Sequence, residues 1–174
     1  MENYKNLETE RLILKPTTVE DSDFILKLFN TPKWLEFVGN RNLKNLEDAS
    51  LYIQKKMIPQ FEKLGYSNYT VIKKDDSIKI GCCGLYDREG LEGVDIGFAF
   101  LPEFENLGYG YESAIKLIEI AKSEFNIQKI SAITSKHNFA SQKLIDKLGF
   151  HFKGIITLPK EEETLFLYEI IFNK

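Results

Sequence analysis

Leu101-Pro-Glu-Phe-Glu-Asn-Leu-Gly-Tyr-Gly-Tyr-Glu-Ser-Ala114 is the stretch whose reading decides the fold. Before it runs an alternating segment, Val94 to Leu101, that reads as a strand stopped by Pro102. After it, Ala114, Leu117, Ile118, Ala121 and Phe125 recur at helical spacing. Gly108 and Gly110 stand at the junction. Glycine takes positive φ without strain and lets a ligand approach the backbone with no Cβ in the way. The first amides of the helix lack intrahelical partners and face the positive end of its dipole, so a phosphate or diphosphate is the natural guest. Two glycines alone also fit a plain strand-to-helix turn. Gly108-x-Gly110-x-x-Ser113 approaches a dinucleotide-binding fingerprint as well, but the context opposes it. No Walker Lys-Ser/Thr follows, and the preceding elements form a meander. Thr134-Ser135-Lys136 stands where a ribose-binding acid belongs.

Working outward, the middle of the chain keeps period two. Tyr69 to Lys73 and Ile78 to Leu85 read as paired strands around an Asp75-Asp76-Ser77 turn, and Val94 to Leu101 extends the antiparallel meander. Upstream, Leu12 and Leu14 mark a first half-buried strand ending at Pro16. Thr17 or Thr18, with Glu20 and Asp21, opens a helix reaching about Asn30, and Thr31-Pro32 starts a short one through Trp34 and Phe37. Asn45 precedes a longer amphipathic helix bearing Leu46, Ala49, Ile53, Met57, Phe61 and Leu64. Pro59 is expected to kink it and Gly65 to end it. Downstream follow a strand (Ile130 to Thr134), a helix (Ala140, Leu144, Leu148, stopped by Gly149) and two strands. The last, Leu165 to Phe172, is apolar on both faces and therefore expected inside its sheet. The spacing predicts a mixed α/β fold.

Composition bounds the function. The chain has 174 residues, 43% hydrophobic and 28% charged, with net charge −3. That suits one globular domain spanning 1–174, since linkers, repeats and charge blocks are missing from the sequence. A near-neutral chain argues against bulk binding to nucleic acid or anionic membrane. No apolar run approaches the roughly 20 residues of a bilayer span, and Met-Glu-Asn-Tyr-Lys does not begin a signal peptide. Cys82 and Cys83 are adjacent and have no third cysteine to pair with, while His137 and His151 complete no zinc pattern. The expectation is a cytoplasmic protein with reduced, packing cysteines and no metal.

Four segments together resemble the GNAT acetyltransferase superfamily, in its RimJ/RimL-like branch, which acetylates ribosomal-protein N-termini. Glu8-Thr-Glu-Arg-Leu-Ile-Leu-Lys-Pro16 is similar to the branch's first strand, and Asp95-Ile-Gly-Phe-x-Phe-x-Pro102 to its fourth. Gly108-Tyr-Gly-Tyr-Glu-Ser-Ala114 resembles the acetyl-CoA diphosphate loop, and Asn138-Phe-Ala-Ser-Gln-Lys-Leu-Ile-Asp-Lys-Leu-Gly-Phe150 the Asn-x-x-Ser helix with its terminal Lys-Leu-Gly-Phe. The likeness covers essentially the whole chain. It departs at Glu105, where the superfamily usually carries Gln or Arg, and at Asn106, often glycine in this branch. A carboxylate beside a diphosphate repels it unless turned away, whereas backbone amides from Leu107 to Tyr111 donate whatever their side chains.

The resemblance implies a mostly antiparallel sheet of about seven strands flanked by about four helices. It also implies direct acetyl transfer from acetyl-CoA to a primary amine, most simply a protein N-terminal α-amino group. It places cofactor-binding residues at Phe98, Ala99 and Phe100 on the fourth strand, through backbone amides. Others fall at Asn106, Leu107, Gly108, Tyr109, Gly110 and Tyr111 in the turn, and at Asn138 and Ser141 on the last helix. Ser141 is the hypothesised general acid toward the thiolate, and Asp95 a candidate base acting through water. Asn138 equally suits a helix N-cap, and Asp95 a salt-bridged carboxylate. Glu112 reads as a dipole-favoured acid and His137 as an exposed loop residue. Trp34, Phe37 and Arg41 fall in the region that shapes the acceptor site in relatives. An acetyltransferase of a small-molecule amine (amino acid, polyamine, aminoglycoside) and a non-catalytic CoA-binding module stay open as alternatives, as does a monomer or a homodimer.

Overall fold

The computed structural model describes residues 4–172. The chain begins with β1 (Leu7–Glu8) folded back on β2 (Leu12–Pro16), then α1 (Ser22–Leu28) and α2 (Pro32–Phe37). A long helix follows in three parts, α3 (Leu46–Tyr52), a π-helical turn (Ile53–Met57) and α4 (Ile58–Leu64). The meander is β3 (Asn68–Lys73), β4 (Lys79–Asp87) and β5 (Val94–Phe100), leading to α5 (Tyr109–Ser123). The chain finishes with β6 (Lys129–Ser135), α6 (Phe139–Lys147), β7 (His151–Thr157) and β8 (Thr164–Ile171).

Eight strands form one sheet in the order β1-β2-β3-β4-β5-β6-β8-β7, antiparallel except where β5 meets β6. The mixed α/β, mostly antiparallel reading therefore holds, with one strand more than expected. The extra strand is β1, two residues long and too short for period two to reveal; Thr9 turns it, its hydroxyl accepting the Leu12 amide at 3.0 Å. Counting α3 to α4 as one, there are five helices rather than about four. β8 lies between β6 and β7, inside the sheet as its apolar faces predicted.

Local chemistry explains most boundaries. Thr31 accepts the Trp34 amide at the start of α2, with Pro32 in the first turn. Asn45 accepts the Asp48 amide at 2.9 Å to cap α3. Pro59 does not break the long helix: the chain takes one π turn immediately before it, accommodating the ring and the missing N–H, and continues to Gly65 at φ +81°. Leu46, at the first helical position, is 56% exposed rather than part of the buried stripe.

Two apolar layers sandwich the sheet. One packs α5 against Leu12, Leu14, Val71, Cys83, Leu85, Ile96 and Ile130. The other packs α1, α3 and the π-helical turn against Cys82 and Leu101, while Phe61 and Leu64 of α4 join the first cluster. Cys82 and Cys83 thus point to opposite faces, as neighbours in a strand must. Burial pushes both thiols up to about 12, so neither is a nucleophile near neutral pH.

Candidate active site

The site begins with a defect in the sheet. β5 pairs with β4 along its whole length, from Val94 opposite Asp87 to Phe100 opposite Gly81. On its other edge it pairs with β6 only at Val94 and Asp95. From Ile96 to Phe100 the two parallel strands diverge, so alternate backbone groups of β5 face an opening instead of a strand. Gly97 to Phe100 are only partly buried, so these backbone groups are open to a ligand or to water.

The helix start lies at the same opening. Gly108 takes φ +86°, and the first intrahelical bond of α5 is donated by the Glu112 amide to Gly108 at 3.0 Å. The amides of Tyr109, Gly110 and Tyr111 precede that bond and belong to no helical ladder. Arg11 braces the turn from behind. Its guanidinium donates to the Leu107 carbonyl at 3.1 Å and to Glu112 at 2.7 Å, and lies 4.5 Å from the Tyr109 ring centre. Gly110 is needed for a different reason: a Cβ there would lie 2.9 Å from Leu144 Cδ2 on α6. Its glycine permits the close approach of the two helices that wall the opening.

Together these elements enclose a cleft of about 750 Å³, within the range of ligand sites. Of the residues expected from sequence, it brings together Phe98, Ala99, Phe100, Asn106, Gly108, Gly110, Tyr111, Asn138 and Ser141. Leu107 and Tyr109 stand in the turn without lining the cleft. Asn138 caps α6, its Oδ1 accepting the Ser141 amide at 3.2 Å, while its Nδ2 and the Ser141 hydroxyl make no hydrogen bond among the described residues. Both residues line the cleft.

Asp95 is not brought to the cleft. It sits in the paired part of β5, 1% exposed, and accepts the Arg88 Nε proton at 3.1 and 3.2 Å. Burial raises its pKa, against the opposing pull of Arg88. Glu112 likewise faces away from the cleft. Desolvation pushes its pKa up, but the Thr9 hydroxyl and the Arg11 amide and guanidinium together prevail and hold it below the usual value.

Several lining residues were not legible. Lys33, Lys143 and Lys147 line the cleft with a single carboxylate, Glu105, so a chain of net charge −3 carries a cationic cleft. Lys143 and Lys147 lie one turn apart on α6, a spacing that would have disclosed a shared face; Lys147 Nζ stands 4.4 Å from the Tyr111 ring centre. Lys33 ion-pairs with Glu105 across 72 residues, which no local pattern announces. His137 is exposed as expected, but it also lines the cleft, as do Trp34 and Phe37. Among the described residues no cluster suited to a metal ion is found, and no helix is long and apolar enough to cross a membrane.

A split parallel edge beside a free helix N-terminus is an arrangement suited to an extended ligand with an anionic segment. Residues 11–151 match the family model described as an acetyltransferase (GNAT) domain, and the chain belongs to that family. The uncharacterised N-acetyltransferase YoaA of Bacillus subtilis is 28% identical over 86% of this chain and 85% of its own. The fold is shared with a GNAT-family acetyltransferase from Bacillus anthracis (TM-score 0.79, 21% identity, 96% and 98% of the two chains). It is shared too with RimL, a ribosomal-protein α-N-acetyltransferase solved with coenzyme A (TM-score 0.78, 16% identity, 97% and 98%). The protein is an acetyl-CoA-dependent N-acetyltransferase by family.

Proposed function

We propose that this enzyme transfers acetyl from acetyl-CoA to a protein N-terminal α-amino group. One observation supports the cofactor's placement above all: the unpaired edge of β5 and the free amides of α5 open onto a single cleft. The amides of Gly108 to Tyr111 receive the diphosphate, with Lys143 adding positive charge. The extended arm runs along Phe98, Ala99 and Phe100 as a substitute strand, and Asn138 Nδ2 donates to one of its carbonyls. The α-amine acceptor is favoured by the likeness to RimL.

In the reaction the neutral amine attacks the thioester carbon, and a β5 amide stabilises the oxyanion that forms. Collapse breaks the C–S bond. The Ser141 hydroxyl gives its proton to the departing thiolate and takes one back from solvent, to which the amine nitrogen loses its own. A hydroxyl is a weak acid, so its contribution is modest. Asp95, committed to Arg88, keeps β5 in register where the strands part; it takes no proton in this scheme.

Thermal unfolding with acetyl-CoA, coenzyme A and NAD tests the reading, followed by thiol release with N-terminal peptides, polyamines and aminoglycosides. Ligand at about 100 times Kd stabilises by roughly 2.7 kcal/mol, or about 5–11 °C for a chain of this size. The two coenzyme A forms are expected to raise the midpoint and NAD to leave it unchanged, with thiol released on peptides. Stabilisation without turnover on any amine would identify a non-catalytic binding module.

A further inference from the structure

Glu105 places a negative charge on the turn that must receive a diphosphate, and it is mostly shielded from water, its side chain 24% exposed. In the structure that charge is not alone. The Lys33 ammonium, carried by α2, closes an ion pair with it. Both side chains line the cleft alongside Gly108 and Gly110. Lys33 is half exposed, so its ammonium keeps donors beyond the one given to Glu105.

Helix α2 has few other anchors. It is six residues long and buries none of them fully. Trp34 stacks on Phe29 with ring centres 3.7 Å apart, and Thr31 caps the first turn. The Lys33–Glu105 pair is what joins this helix, which also brings Trp34 and Phe37 to the cleft, to the diphosphate turn.

We infer that Lys33 is a positioning residue for the cofactor: it cancels the Glu105 charge at the turn, so that the α5 amides meet the diphosphate without an opposing carboxylate. The inference rests on the proposed placement of coenzyme A. An ion pair so near the anion acts on binding through its net charge, and losing one partner exposes the other. Removing Lys33 alone therefore leaves a bare carboxylate facing the phosphates. Removing both charges leaves a neutral turn.

Calorimetric Kd values for coenzyme A are to be measured on the intact protein and on Lys33→Ala, Glu105→Gln and the double variant, each checked for an unchanged unfolding midpoint. Lys33→Ala is expected to weaken binding about tenfold, and the double variant to return within about twofold of wild type. The Lys33→Ala deficit is expected to shrink in 0.5 M salt, since the interaction is between partly exposed charges. A structural role for Lys33 predicts no rescue by Glu105→Gln. If Lys33→Ala binds as tightly as wild type, or the double variant binds as poorly as Lys33→Ala, the inference is overturned. A wild-type protein that fails to bind coenzyme A overturns the cofactor placement itself, a separate and prior result.

Discussion

The Asn138 cap and the cofactor contact proposed for it use different atoms, and substitution separates them. Its Oδ1 caps α6 by accepting the Ser141 amide, while Nδ2 has no partner among the described residues. Serine caps a helix about as well as asparagine but lacks the amide donor. Asn138→Ser is therefore expected to keep wild-type stability in urea and to bind coenzyme A roughly tenfold more weakly, the cost of one well-placed hydrogen bond of about 1.4 kcal/mol. Asn138→Ala should lose that affinity and also about 1 kcal/mol of stability, the usual worth of a cap. Unimpaired binding in Asn138→Ser would reduce the residue to a cap. Gly108 and Gly110 show the same division, since one supplies a positive φ and the other a close helix approach.

Among the elements, the junction of the N-terminal hairpin with α5 carries more than its sequence suggested. Glu112 accepts from the Thr9 hydroxyl at 2.5 Å, the Arg11 amide at 2.8 Å and the Arg11 guanidinium at 2.7 Å. It thereby ties β1 and β2 to the helix whose first turn borders the cleft. Because the folded-state pKa lies below the unfolded value, the folded protein binds fewer protons between the two. Stability from this carboxylate is thus complete above an unfolded pKa near 4.3 and is lost as pH falls through the folded one. Glu112→Gln is expected to cost about 1–2 kcal/mol in urea unfolding at pH 7. The gap from wild type should narrow steadily below about pH 4.3, and a gap independent of pH would show that charge plays no part.

The acid was legible as a residue suited to a helix N-terminus; its partners, about a hundred positions earlier, were not. The same holds across the site. The strand alternation, the glycine turn, the caps at Asn45 and Asn138 and the order of elements are local chemistry and could be read directly. The parting of β5 from β6 and the Lys33–Glu105 pair are non-local. They follow from which strand lands beside which, and Asp95 fell on the paired side of that divergence for the same reason.

For the molecule as a whole, the outstanding question is which amine enters the cleft, and proton chemistry distinguishes the candidates. Attack requires the neutral amine. An α-amino group with pKa near 7.7–8.0 is roughly a tenth neutral at pH 7, whereas an amine near 10.4 is neutral in only about one molecule in 2,500. The titratable groups lining the cleft, apart from three lysines and Tyr111, are Glu105 and His137, and Glu105 is held by Lys33. A site so furnished suits an acceptor that sheds its own proton near neutrality. With a peptide N-terminus and saturating acetyl-CoA, kcat/KM is expected to rise with pH and level off with an apparent pKa near 8. His137→Gln should leave that limb in place, because the titration belongs to the acceptor. A profile still climbing tenfold per pH unit beyond pH 9 would instead mark a lysine side-chain nitrogen of the peptide as the group acetylated. A limb abolished by His137→Gln would transfer the titration to the enzyme and make that imidazole the base.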